Sequence, residues 1–180
     1  MDKLLTALIG TIAGSVISWF ITTHRSKLQA TFDLHREFCS GELYKSRVIA
    51  NKLIEQCPNF SLSKLRQDFP EEAFHLLQLA NFYQRLYVAI KYNQVKADLI
   101  PELFGEVFIW WYVVCFKEQM LLPESSFHAK SSIIHLYKWL HRSPRFSRER
   151  REWELSALQE RQRRVDLHLS IPQLPVRQYE

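Results

Sequence analysis

The chain opens with twenty uncharged residues, Leu4 to Thr23, and then changes to a repeating mixture of apolar and charged positions. Twenty helical residues rise about 30 Å, the thickness of the hydrocarbon core of a bilayer. Only Met1-Asp2-Lys3 precedes the run and no small-residue cleavage site follows it, which favours a retained anchor over a cleaved export signal. The pattern therefore predicts one membrane-spanning helix followed by a water-soluble body.

In that body, apolar residues recur at spacings of three and four, which is typical of helices that bury one face. The first helix is predicted to continue to Ser40-Gly41, a second to end before Pro58, and a third to begin at Pro70. Residues expected to face inward from the third helix are Phe74, Leu77, Tyr83, Leu86, Tyr87 and Ile90. Two more helices are predicted from near Pro101 and from Pro123.

The predicted fold class is therefore all-α, with a single N-terminal transmembrane helix, a cytosolic helical bundle and a homo-oligomeric state. The predicted division is an anchor over residues 1–27, a bundle over 28–170 and a C-terminal tail over 171–180. Ten consecutive apolar residues from Val107 to Phe116 are too few to span a bilayer. They indicate either the central buried helix of the bundle or an oligomer interface rich in Trp and Tyr.

Small and hydroxyl-bearing residues share one face of the predicted anchor. The residues of this face are Gly10, Thr11, Gly14, Ser15, Ser18 and Thr22. Small faces let membrane helices approach closely, and hydroxyl groups can bond across the contact. Three interpretations stay open: hydroxyls that bond only to their own backbone, simple dimerisation, or a ring of helices whose hydroxyls line a pore.

Charges next to the apolar run predict the orientation. Lys3 is nearly cancelled by Asp2, whereas His24, Arg25 and Lys27 follow the run immediately. Because positive charge is retained on the cytoplasmic side, the C-terminal body of this single-pass protein is expected in the cytoplasm.

Cysteines and histidines give no sign of a metal centre or a disulfide framework. Cys39, Cys57 and Cys115 form no CxxC pair, which agrees with a reducing compartment. His128 and His135 lie seven residues apart, but no third ligand completes a zinc spacing. No metal and no cofactor are predicted.

Arginine is concentrated near the C-terminus, where residues 142–164 hold eight arginines against four glutamates. The candidate binding residues of this basic helix are Arg148, Arg150, Arg151, Arg161 and Arg164. Such a helix can bind nucleic-acid phosphates, anionic lipid headgroups or an acidic surface of another subunit. It can equally be a solvated face with internal Glu–Arg pairs.

The same region contains one Arg-x4-His pattern, Arg163 to His168. This residue pair can cleave RNA without a metal, because histidine moves the proton and arginine stabilises the phosphate charge. Five residues apart on a regular helix, the two side chains point about 140° apart. A site would therefore need an irregular helix or a second chain. The pattern also arises readily by chance, so enzymatic activity is left open, with the balance against it.

The layout resembles that of the small membrane accessory protein of type VI-B CRISPR systems, on its single N-terminal span, the aromatic helix from Phe104 to Phe116 and the late Arg-x4-His. The middle of the chain is also similar to a broad family of bacterial membrane-anchored helical proteins. The first resemblance implies a multimeric pore that depolarises the cell during antiviral defence, with an RNA-guided ribonuclease effector or RNA as partner. It also implies a HEPN-like motif, from which this chain departs at Arg164, where a small polar residue is usual.

Three functions are consistent with these features. The function expected first is a homo-oligomeric inner-membrane pore or permeability effector, whose partners are other copies of the chain and the lipid bilayer. The alternatives are a membrane-tethered ribonuclease that uses Arg163 and His168, and a passive scaffold that recruits a partner to the membrane.

Overall fold

A computed structural model describes the backbone of residues 2–120, 128–143 and 146–170, and within these ranges the side chains from Gly14 onward except those at positions 118, 119 and 170. Within these ranges the secondary structure is helical and contains no strand, so the all-α prediction is confirmed. The α-helices are α1 (Asp2–Cys39), α2 (Gly41–Gln56), α3 (Leu62–Asp68), α4 (Pro70–Lys91), α5 (Glu106–Trp111), α6 (Lys130–Arg142) and α7 (Ser147–Ser170). Two π-helical segments, Pro101–Gly105 and Tyr112–Met120, flank α5.

Helix boundaries follow the residues that disfavour or start a helix. Helix α1 ends just before Ser40-Gly41, and α4 begins at Pro70, whose fixed φ suits the first helical position. The short helix α3 was not anticipated from the apolar pattern. Its N-cap residue is Ser61, whose Oγ accepts a hydrogen bond from the backbone N–H of Lys64 at 3.4 Å.

Helix α4 lies at the centre of the bundle and packs against α2, α3 and α6. Its buried side chains are Ala73, Leu76, Leu79, Ala80, Phe82, Tyr83, Leu86 and Ala89. The inward orientation predicted for Tyr83 and Leu86 is confirmed, but that for Phe74 is wrong, because its side chain is 57% exposed. The buried face of α4 instead includes the small residues Ala73 and Ala80, which allow the other helices to approach closely.

The aromatic segment forms part of the core. Phe108, Ile109 and Trp111 are buried, and so are all four residues from Val113 to Phe116. Burial of four consecutive side chains means that the helix has protein around its whole circumference. This part of the chain is π-helical, with i→i+5 hydrogen bonds that widen the turn.

A sharp stop after α4 returns the chain to α1. Asn93 has a left-handed φ of 55°, and the N–H of Gln94 donates to the carbonyl of Ala89 at 2.9 Å. Two residues later, the N–H of Lys96 donates to Oγ1 of Thr31 at 2.9 Å. Thr31 is fully buried, so this hydrogen bond fixes the loop against α1.

Part of the predicted anchor lies outside what the structure describes. The backbone of α1 is helical from Asp2, but the side chains of Gly10, Thr11 and the other residues before Gly14 are not described. No helix among the described residues has the length and apolar content needed to cross a bilayer. The predicted helix start at Pro123 and the predicted tail, 171–180, also lie outside the described residues.

The contact between Gly105 and α7 generates the first prediction. A Cβ added at Gly105 would lie 2.9 Å from the ring of Trp153 on α7. We expect Gly105→Leu to destabilise the domain by about 2 kcal/mol, because the larger side chain displaces Trp153. The free energy of unfolding in denaturant measures the effect.

The matched control is Gly41→Leu, because a Cβ at that exposed helix start meets no atom within 4 Å. Gly41→Leu is expected to leave stability unchanged or to raise it slightly. Equal stability of the two variants would mean that α7 does not pack on Gly105 as described.

Candidate functional site

The described part of the small-residue face lies on the surface of the chain. Gly14, Ser15, Ser18 and Thr22 are exposed, and a Cβ at Gly14 would meet nothing within 4 Å. The large apolar side chains around them are also exposed: Val16, Ile17, Trp19, Phe20 and Ile21 are 50–64% accessible. This half of α1 therefore presents a helix with an apolar and a small-residue side to its surroundings.

The second half of α1 is bound to the bundle. Phe38 is 3% exposed, and its ring contacts those of Phe82 at 5.1 Å and Phe104 at 5.7 Å between centroids. Next to Phe38 on α1, the Glu37 carboxylate forms a bidentate ion pair with the guanidinium of Arg85 on α4. Aromatic burial and a bidentate pair together fix the direction in which α1 leaves the bundle.

A cationic group also lies against this aromatic cluster. The guanidinium carbon of Arg47 on α2 lies 4.1 Å from the centroid of the Phe38 ring. Among the described residues, the buried hydroxyl of Tyr83 has no hydrogen-bond partner, and burial raises the pKa of that hydroxyl well above its usual range. Tyr83 therefore stays neutral and contributes mainly as an aromatic ring.

Arg164 is placed inside the protein, although its sequence context suggested a surface charge. Its side chain is 5% exposed. Nη2 donates to Oδ1 of Asn51 on α2 at 2.9 Å, and the guanidinium carbon lies 5.1 Å from the ring of Trp110. Nε donates to Glu160 at 2.7 Å. Arg164 thus joins α7 to α2 and to the aromatic helix.

Arg163, the predicted phosphate-binding residue, is engaged by carboxylates. Its Nε and Nη2 both donate to Glu160 at 2.8 Å, and Nη2 lies 3.9 Å from Glu55. Hydrogen bonds from Arg163 and then Arg164 hold the pKa of Glu160 at about 2, against the opposing effect of its partial burial. Glu160 is therefore ionised at neutral pH, and its one negative charge is shared between Arg163 and Arg164.

Arg163 and His168 are not brought together within one chain. Both lie on the unbroken helix α7, five positions apart with four residues between them, so a regular helix directs them to different sides. Among the described residues, the polar partners of Arg163 are Glu160 and Glu55. Among the residues that the structure describes, Arg163 and His168 therefore form no paired site for phosphate binding and proton transfer.

Other arginines of the basic helix support local structure. Nη1 of Arg150 donates to the carbonyl of His141 at 2.7 Å, at the C-terminal end of α6, where the helix dipole favours a cation. Arg148 pairs with Glu152 one turn later, and Arg151 donates to the carbonyl of Ser147 at 3.4 Å. Arg161 is half-buried on the same helix.

A carboxylate shared by two helices was missed by the sequence analysis. Glu154 on α7 lies 2.6 Å from Nε2 of His141 and accepts a hydrogen bond from the Tyr137 hydroxyl at 3.1 Å. The Tyr137 ring stacks on Tyr112 with centroids 3.9 Å apart. Burial and then the Glu154 carboxylate raise the pKa of Tyr137 above its usual range. The spacing of Tyr137 and His141, four residues apart on α6, is the only sequence signal for this cluster.

A second polar cluster joins α2 to α4. The buried Ser46 hydroxyl lies 3.0 Å from Nδ1 of His75 and donates to Oε1 of Gln78 at 2.7 Å. Ser46 is 1% exposed, and its hydrogen bonds to two side chains of α4 make the cluster an interhelical contact. Among the described residues, no group of three or more potential metal ligands lies close together.

The chain belongs to the family described as a domain of unknown function, DUF4760, which matches residues 5–116. The match begins inside the uncharged N-terminal run and ends in the aromatic helix. No curated protein and no solved structure matches the chain. The exposed half of α1 and its contacts with α2 and α4 fall within the family region, whereas α6, α7 and the Arg-x4-His pattern fall outside it.

The contrast between Arg164 and Arg163 generates a prediction on stability. We expect Arg164→Met to lower the free energy of unfolding by about 2 kcal/mol, since it removes hydrogen bonds and a ring contact inside the protein. The neighbouring Arg163→Met provides the control, because the ion pairs of Arg163 are exposed to solvent and contribute little to stability. Denaturant unfolding of both variants measures the difference, and similar losses would contradict the placement of Arg164.

The low pKa of Glu160 generates a prediction on pH. Its pKa falls from an ordinary value of 4.5 to about 2 on folding, so the carboxylate stabilises the folded state above pH 4.5 and loses this effect as pH falls towards 2. Glu160→Gln should therefore destabilise the protein by about 1 kcal/mol at pH 6, after allowance for solvent screening, and by less at pH 2.5. Denaturant unfolding of the wild type and the variant at pH 6 and pH 2.5 measures the difference in free energy of unfolding. An equal loss of stability at the two pH values would refute the prediction.

Proposed function

We propose that the chain is a single-pass membrane protein whose N-terminal helices associate and make the bilayer permeable. The observation that carries this proposal is the continuous helix α1, which bears exposed apolar side chains from Val16 to Ile21 and then enters the bundle. Exposed Trp, Phe and Ile side chains in a row are costly in water and favourable in lipid.

The exposed small-residue face supports association between copies. Gly14 and Ser18 lie one turn apart on this face, and the space above Gly14 is open. Without a hydrophobic force between helices in lipid, close backbone approach and hydroxyl hydrogen bonds are the main sources of affinity. A ring of such helices would direct the hydroxyls of Ser15 and Thr22 towards a shared opening.

The rigid attachment of α1 supports a role beyond simple anchoring. Three contacts hold the C-terminal half of α1 against α4 and the loop that follows α4. They are the Phe38 ring contacts, the Arg85–Glu37 ion pair and the Thr31 hydrogen bond. Rotation of the bundle would therefore turn α1 in the membrane. The family region includes both the apolar run and these contacts, which agrees with a functional unit made of helix and bundle together.

Charge supports an orientation with the bundle in the cytoplasm at the bacterial inner membrane. His24 and Arg25 are exposed on α1 directly after the apolar run, and Lys27 is half-buried. A role in CRISPR-associated defence, with an RNA-guided ribonuclease effector or RNA as partner, stays a prediction from the resemblance alone.

The ribonuclease alternative has less support than the pore. Arg163 is held by Glu160, and the single chain offers no geometry that joins Arg163 to His168. A site completed by a second chain would also have to release Arg163 from Glu160. RNA cleavage that disappears in His168→Ala would nevertheless establish an enzyme.

The small-residue face generates the prediction that tests the pore. We expect Gly14→Leu to reduce both the mass of the detergent-solubilised particle and dye leakage from liposomes, because the larger side chain separates the helices. Val16→Leu places the same leucine side chain on the opposite side of the helix, away from the small-residue face, and should change neither. Light scattering and dye release measure the two properties.

Two results would contradict the proposal. A monomeric particle would exclude a pore of several helices. The passive scaffold would be supported instead by a verified oligomer that causes no leakage and that assembles equally well with Gly14→Leu and with Val16→Leu.

A further inference from the structure

Helix α7 has two sides with different surroundings. One side packs on the bundle through Ala157 and Arg164, which are 0% and 5% exposed. The other side presents leucines to solvent: Leu155 is 61% exposed, Leu158 48% and Leu169 74%. Exposed leucines repeated along one helix indicate a surface that another molecule covers.

These exposed leucines, together with the exposed Gln162 and the half-buried Val165, follow the spacing of a coiled coil. Leu155, Leu158, Gln162, Val165 and Leu169 succeed one another at intervals of three, four, three and four residues. In a heptad, they occupy the a and d positions that form the contact seam. We call these five residues the α7 seam.

We propose that the α7 seam binds the same seam of a second copy of this chain, as a parallel, in-register pair of helices. The polar residue in the middle selects this register. Gln162 faces Gln162 of the second copy only in the parallel in-register pair, where the two amides can hydrogen bond to each other. Registers that place Gln162 opposite a leucine or Val165 would leave a buried amide without a partner.

Charges beside the seam agree with this arrangement. Arg161 and Asp166 occupy the g and e positions that face each other across a parallel pair. Each parallel dimer therefore brings Arg161 of one copy near Asp166 of the other, twice. An antiparallel pair that opposes Leu155 to Val165 would instead place Arg161 near Arg161 of the second copy, and Asp166 near Glu152 of the second copy, so that like charges repel.

The seam is already formed in the single chain. Helix α7 is held on the bundle by Arg164 and by Trp153 against Gly105, so pairing requires no helix formation. In the exposed state, the Gln162 amide donates to Asp166 at 2.8 Å, a contact that pairing can exchange for the partner amide. Two heptads are a small interface, so the affinity relies on concentration of the chains in one membrane, which rests on the proposed anchor.

Disulfide trapping in membranes tests the proposal with the full-length chain. Cys39 is exposed and is replaced by serine, whereas Cys57 and Cys115 are buried and stay. In this background, Gln162→Cys keeps the seam leucines and the Arg161–Asp166 charges, which also favour the parallel pair, and should form a disulfide-linked dimer on mild oxidation. Equivalent a positions lie close together only in the parallel in-register pair. Ser156→Cys, on an exposed side of α7 outside the seam, should give about tenfold less dimer.

Two sets of variants then identify the forces. Leu155→Asp and Leu158→Asp change exposed side chains, so the fold should persist by circular dichroism while trapping at position 162 falls about tenfold. Arg161→Glu should weaken trapping, and the double change Arg161→Glu with Asp166→Lys should restore it. Equal trapping at positions 156 and 162, or no effect of Leu155→Asp, would overturn the proposal.

The outcomes separate this proposal from the pore and from other occupants. Loss of trapping with liposome leakage intact would reject the α7 seam alone. Trapping that persists at high protein concentration without leakage would reject the pore alone. If Leu155→Asp reduces binding to vesicles of anionic lipid and position 162 gives no dimer, the seam contacts lipid and the proposal is wrong.

Discussion

Burial of Phe38 among the rings of Phe82, Tyr83 and Phe104 is the contact on which the rest of the structure depends. It joins one long helix to the bundle at the point where α2, α4 and the aromatic segment meet. Because Phe38 lies one residue before the end of α1, the remaining helix projects from a fixed base. The exposed apolar side chains from Val16 to Ile21 therefore have a defined position relative to the domain, because they lie on the same continuous helix as Phe38.

The bundle uses arginine mainly to hold helices together. Arg164 joins α7 to Asn51 on α2, Arg150 binds the carbonyls at the end of α6, and Arg85 pairs with Glu37 on α1. Each guanidinium reaches another helix and satisfies carboxylate, amide or carbonyl oxygens there. The concentration of positive charge near the C-terminus is thus partly structural. On α7, the surface that we propose binds a second copy is the α7 seam, with its exposed leucines and flanking charges.

The family match and the geometry divide the chain in a consistent way. Residues 5–116 contain the apolar run, the Phe38 contact and the aromatic core, whereas α6 and α7 lie beyond the match. The first part has the features of a helix coupled to a domain. The second part closes the core with Ile133, Leu136 and Ala157, and carries the surface proposed to pair with another copy. An assembly would then use two separate contacts, one in the membrane and one on α7.

Sequence alone determined the elements whose cause is local. Prolines and the Ser40-Gly41 pair set helix ends, and periodic apolar residues identified α2, α4 and the buried segment from Val107 to Phe116. Tertiary structure decided what depends on residues far apart in the chain. Arg164 lies 113 positions from Asn51 and Ser46 lies 32 from Gln78, and no local pattern links such pairs. The orientation of Phe74 was predicted wrongly for the same reason. The inward side of a helix is set by how closely its neighbours approach. Small residues such as Ala73 and Ala80 decide that distance only once the partner helices are in place.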